Sequence, residues 1–155
     1  MTLPETDHIA RTCKYSSLDL EEGKPTVASF DFRPFEKYLS VNWLELLAAP
    51  EASLADKVQA LRAFSREKHD YPCIPIKGQG AVAAVAVAAV HKASVGSLPT
   101  TLRCAHEPHA EGDPHSGIHP DPGVERWSEV GDDERLAVQQ YLYKSICHWE
   151  PATLP

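Results

Sequence analysis

The chain has no apolar run approaching the ~18 residues that a membrane-spanning helix needs, so it is not expected to cross a bilayer. Its four cysteines, Cys13, Cys73, Cys104 and Cys147, include no CxxC pair, which argues against a zinc ribbon and a thioredoxin-like motif. They are expected as free thiols, because a chain of 155 residues can build a core without disulfides. No basic run occurs, and a net charge of −7 opposes phosphate backbones, so nucleic acid is not an expected partner. GxSxG, P-loop and dinucleotide-binding fingerprints are missing, and with them any direct pointer to a substrate. Residues 1–15 lack the basic start and apolar core of a secretory signal, which leads to the expectation of a cytosolic, bacterial-style location. There is no internal repeat or low-complexity stretch.

What is present reads as a single globular domain, 1–155, with 43% hydrophobic and 24% charged residues. The first 35 residues look irregular to extended. Ala28, Phe30 and Phe32 alternate with polar residues and predict a short half-buried strand ending at Pro34. Asn42 is placed to cap a short helix from about Trp43 to Ala49, with Glu45 three positions on and Pro50 as its stop. Ser53 opens a longer helix to about Lys68, whose apolar stripe is Leu54, Val58, Leu61 and Phe64. The proline- and glycine-containing stretch 71–80 then serves as a connection.

The run AVAAVAVAAVHKA is ambiguous, since alanine favours helix while the valines fit neither a helical stripe nor strict alternation. A buried strand is favoured, forming a hairpin through a turn at 92–99 with a second arm, Thr100 to His106, in which Leu102, Cys104 and His106 share a face. The prolines that follow predict a loop. A last helix from about Glu134 to His148, capped by Asp132 or Asp133, would bury Val138, Tyr141, Leu142, Ile146 and Trp149. The expected fold is thus α+β: a small antiparallel sheet of three to four strands with two longer helices and one short helix packed on it.

The segment with most chemistry is CAHEPHAEGDPHSGIH, residues 104–119, which holds four of the eight histidines and one cysteine. Imidazole and thiolate bind borderline metals near neutral pH, and imidazole is the usual general acid or base. One reading makes Cys104, His106, His109, His115 and His119 the pool of ligands for a zinc ion that activates water, with Glu107, Glu111 or Asp113 as base. A second is metal-free and pairs His106 with His115 as acid and base, Asp113 orienting an imidazole, a pairing that serves phosphodiester chemistry. A third is a solvated surface loop whose histidines satisfy local backbone groups. Clustered imidazoles beside carboxylates also suit a pH-responsive surface.

Elsewhere, Arg33, Glu36, Asn42, Trp43 and Glu45 form a polar-aromatic group that could line a pocket with this loop, although capping and core packing account for its members individually. Asp7, His8, Arg11 and Cys13 are dispersed candidates for further ligands, and His69, His91 and His148 read as structural. Trp127, Tyr141, Tyr143 and Trp149 could supply an aromatic face for a protein partner. YLSVNWLE (38–45) together with HEP (106–108) and DPHSGI (113–118) resembles segments of a family of small bacterial proteins with no assigned activity. That resemblance implies only that the two segments belong to one compact fold. The reading that results is an accessory or interaction protein acting through residues 104–119, with a small zinc-dependent hydrolase or a histidine-pair enzyme as alternatives.

Overall fold

A computed structural model describes residues 1–19, 21–33, 35–67, 80–93, 101–121 and 124–151. The expected connection at 71–79, the turn at 94–99, and Pro34, His69, Cys73 and Pro122 lie outside them. Six strands, β1 (His8–Lys14), β2 (Leu39–Trp43), β3 (Gly80–Ala86), β4 (Thr101–His106), β5 (His115–Asp121) and β6 (Ile146–Pro151), form one sheet in the order β4-β5-β2-β1-β3-β6. Every ladder is antiparallel. The expected sheet of three to four strands is therefore too small. The helices are α1 (Leu54–Glu67), α2 (Val87–His91) and α3 (Asp132–Lys144).

Opposed residues of a ladder share a face, so the register separates two cores. Ile9, Val85, Leu39, Val41 and Ile118 face α2 and α3, and pack with Val87, Val90, Val138 and Leu142. Ala10, Val82 and Ala84 face α1, whose Val58 and Leu61 are fully buried, a gain of about 1.5–3 kcal/mol for each such side chain. α1 starts as expected, the Ser53 hydroxyl accepting a hydrogen bond from the Asp56 amide at 3.1 Å.

The alanine-rich run is both strand and helix. β3 carries Ala81 to Val85 buried on both faces, which abolishes alternation, and the chain turns helical at Val87. It forms no hairpin with β4: β3 pairs β1 and β6, while β4 lies across the sheet beside β5. β5 itself was expected to be loop. Beyond Ile118 only β4 remains to pair, so the missing N–H of Pro120 breaks no ladder with β2. Asn42 and Trp43 belong to β2, and only Leu44–Leu46 form a single 3-10 turn, so Asn42 caps no helix. The strand expected at Ala28–Phe32 is a 3-10 turn, Val27–Phe30, and the final helix stops at Lys144 before β6.

The outer edge of β4 is covered by the first residues: the Leu3 amide donates to the Cys104 carbonyl and the His106 amide to that of Met1, both at 2.9 Å.

Candidate functional site

β2 and β5 bring the two sequence segments together, with Asn42 directly opposite His115. Successive residues of a strand alternate faces, so His115, Gly117 and His119 line one side of β5. Tyr38 lies across Gly117, between the two imidazoles, with ring centroids 5.7 Å from His115 and 5.0 Å from His119. The absence of a side chain at 117 makes room for it: a Cβ there would stand 2.5 Å from Tyr38 ring atoms. Burial, then the carboxylates of Glu107, Asp113 and Glu36, push the Tyr38 hydroxyl above its ordinary range.

Asp113 organises the β4–β5 loop. It is buried, and its carboxylate accepts the His109 amide at 2.8 Å and the His115 amide at 2.9 Å. The two rings so anchored stack, centroids 4.4 Å apart at 29°. His115 Nδ1 lies 2.8 Å from the Glu107 carbonyl; because a carbonyl only accepts, Nδ1 carries the hydrogen and Nε2 is the nitrogen that can take up a proton.

β1 and β2 pair only at Ile9 with Trp43 and Ala10 with Asn42, whereas β1 pairs β3 along its whole length. Past Ala10 the two strands part, and Arg11 bridges the fork, donating to the carbonyls of Ser29 (3.1 Å) and Ser40 (2.7 Å). A cleft of about 560 Å³ opens there, within the size range of small-ligand sites. Its walls include Arg11, Thr12, Lys14, Asp31, Arg33, Glu36, Asn42, His109 and His115. Two of these lining residues, Asn42 and Thr12, each carry a buried side-chain oxygen with no hydrogen-bond partner among the described residues, an arrangement that costs stability unless a ligand or water completes it.

Of the polar-aromatic group that could line a pocket with the loop, Arg33, Glu36 and Asn42 line this cleft together with His109 and His115, and Trp43 and Glu45 are not among its lining residues. Sequence reading missed Thr12, Lys14 and Asp31, because nothing local marks them; register and the fork bring them in. The other anticipated residues go elsewhere. His106 is opposite Ser116, so it faces away from His115, its ring edge-on to Trp43 at 5.3 Å and its Nε2 donating to the Asp113 carbonyl at 2.7 Å. Cys104 is fully buried on that same face, and burial drives its thiol up to about 12 against a smaller opposing pull from Arg103. His119 sits 3.0 Å from the Glu107 carboxylate. The five candidate ligands are divided between two faces, and among the described residues no three His, Cys, Asp or Glu side chains converge as a metal site requires.

Glu45, three residues beyond Asn42, enters a different network. Its carboxylate accepts Lys57 Nζ at 2.8 Å, the His8 amide at 2.7 Å and His8 Nδ1 at 2.8 Å. Burial raises the Glu45 carboxyl, but Lys57 and His8 together outweigh it and leave the group below its ordinary value.

Compared with protein-family models, with curated proteins and with solved structures, the chain finds no match. No helix among the described residues is long and apolar enough to cross a membrane.

Proposed function

We propose that the protein acts by binding a small polar molecule in the cleft at the β1–β2 fork, with the Cys104–His119 segment supplying one wall through His109 and His115. The observation that carries this reading is that two residues lining a cleft large enough for a ligand, Asn42 and Thr12, each hold a buried side-chain oxygen with no partner among the described residues. Folding leaves such atoms unmatched at a cost, and a bound donor offsets it. A fragment screen by ligand-observed NMR tests the reading. Hits whose binding disappears in Asn42→Leu and in His115→Ala support it; a screen whose hits are indifferent to both changes sinks it.

The stacked imidazoles favour a second, catalytic use of the same cleft. One ring can accept a proton while its neighbour donates one, which makes His109 and His115, rather than His106 and His115, the acid-base pair. Asp113 is then a positioning residue, acting through the backbone of both. Turnover of a chromogenic phosphodiester that falls with His109→Ala and His115→Ala, and keeps its KM in Asp113→Asn while kcat drops, is the expected result. Metal-dependent hydrolysis has less support, because the candidate ligands are split between faces. A cytosolic setting is supported by the free thiols of Cys13, Cys104 and Cys147. An accessory role, handing the ligand or a signal to a protein partner, is compatible with the same cleft.

A further inference from the structure

The cleft is chemically graded from inside to outside. Its buried lining includes Asn42 (2% exposed), Ser29 (4% exposed) and His115 (6% exposed). Asn42 Oδ1 and Thr12 Oγ1 have no hydrogen-bond partner among the described residues, and His115, whose Nδ1 hydrogen points to the Glu107 carbonyl, keeps Nε2 as its second ring nitrogen. Its exposed lining carries cations. Lys14 and Arg33 are exposed, and Arg33 is held only loosely by Glu36, 3.8 Å away in a solvated pair. Arg11 is fixed at the fork by two carbonyls. Three cationic side chains therefore meet two carboxylates, Asp31 and Glu36, in a chain whose net charge is −7.

Resting on the binding reading above, we infer that the ligand is a small organic anion, a phosphate or carboxylate, whose other end presents N–H or O–H donors. The donor end enters first, toward Asn42, Thr12 and His115, and the anionic end remains at Arg11, Lys14 and Arg33. A neutral molecule would leave the cationic side unmatched, and a bare inorganic anion would leave the buried acceptors unmatched. Both halves of the ligand are needed to satisfy both halves of the cleft.

The test uses matched probes on the full chain. Ribose 5-phosphate and ribose, adenosine monophosphate and adenosine, gluconate and glucose, and inorganic phosphate are titrated separately while the Asn42 carboxamide and the His109 and His115 ring signals are followed by NMR. The expected result is that at least one organic anion moves these signals and binds tenfold or more tightly than both its neutral counterpart and inorganic phosphate. Its affinity falls tenfold or more in the double variant Lys14→Gln/Arg33→Gln, weakens as salt is raised, and falls likewise in Asn42→Leu. Neutral members binding as well as anions, with the double variant indifferent, would overturn the anionic assignment and leave the binding reading standing. Inorganic phosphate binding as tightly as the organic anions would remove the donor end. If no probe moves any cleft signal, the assignment and the binding reading fall together.

Discussion

β2 feeds two buried polar groups of opposite character. Glu45 is surrounded: an ammonium, an amide and an imidazole use its oxygens, and the Lys57 that pairs with it is itself buried and tied to the Pro50 carbonyl. Asn42, three residues earlier, is buried and has an oxygen with no partner among the described residues. The first arrangement is complete and needs nothing from outside; the second is complete only with something added. Buried polarity is therefore not one signal, and the difference lies in whether the neighbours exhaust it.

The contrast is open to direct challenge by mutation. The largest effect is expected from Glu45→Ala, which strands a buried ammonium and should cost about 3–5 kcal/mol in chemical denaturation at pH 7. The same carboxylate has a pH signature. Its folded-state value lies below the ordinary 4.5, so its contribution is present above that value and is lost as pH falls through the folded one. Glu45→Gln should flatten the stability profile in that acid window, and an unchanged profile would mean that the network contributes nothing. Asp113→Ala comes next, about 2–3 kcal/mol for two amides left without their charged acceptor, with loss of the mutual ring-current shifts of His109 and His115. Gly117→Ala should cost about 1–3 kcal/mol by pushing Tyr38 off the strand, read by thermal unfolding and by the Tyr38 ring signals. Asn42→Leu is expected to change stability least, by under about 1 kcal/mol and in the stabilising direction, while abolishing binding. A loss of 2 kcal/mol or more in Asn42→Leu would make the two networks alike and remove the case for an incomplete site.

Legibility followed locality. α1 was readable because its cap and stripe are short-range: Ser53 engages Asp56, and Val58 and Leu61 bury as their spacing demands. The face shared by Leu102, Cys104 and His106 was readable for the same reason, since their alternation survives in β4. β3 was not, because burial on both sides erases the period that identifies a strand. Phe30 misled in the other direction: it is fully buried in a 3-10 turn, so its apolar alternation with Phe32 reports packing and not extension. Proline at 120 masked β5 until the register showed how little of that strand β2 covers. For the site, the sequence offered no more than a possible meeting of 38–45 with 106–118, which the β2–β5 ladder supplies, and strand parity turns His106 away from His115. Thr12 enters the cleft only through the parting of β1 and β2, which no local pattern encodes.

The residues ahead of β1 also determine how this sheet can meet another chain. With Met1 and Leu3 hydrogen-bonded to His106 and Cys104, the backbone groups that an incoming strand would use along that stretch of β4 are already occupied, and lateral growth there is blocked from within. Removing those few residues would leave the same backbone groups of β4 open to an incoming strand.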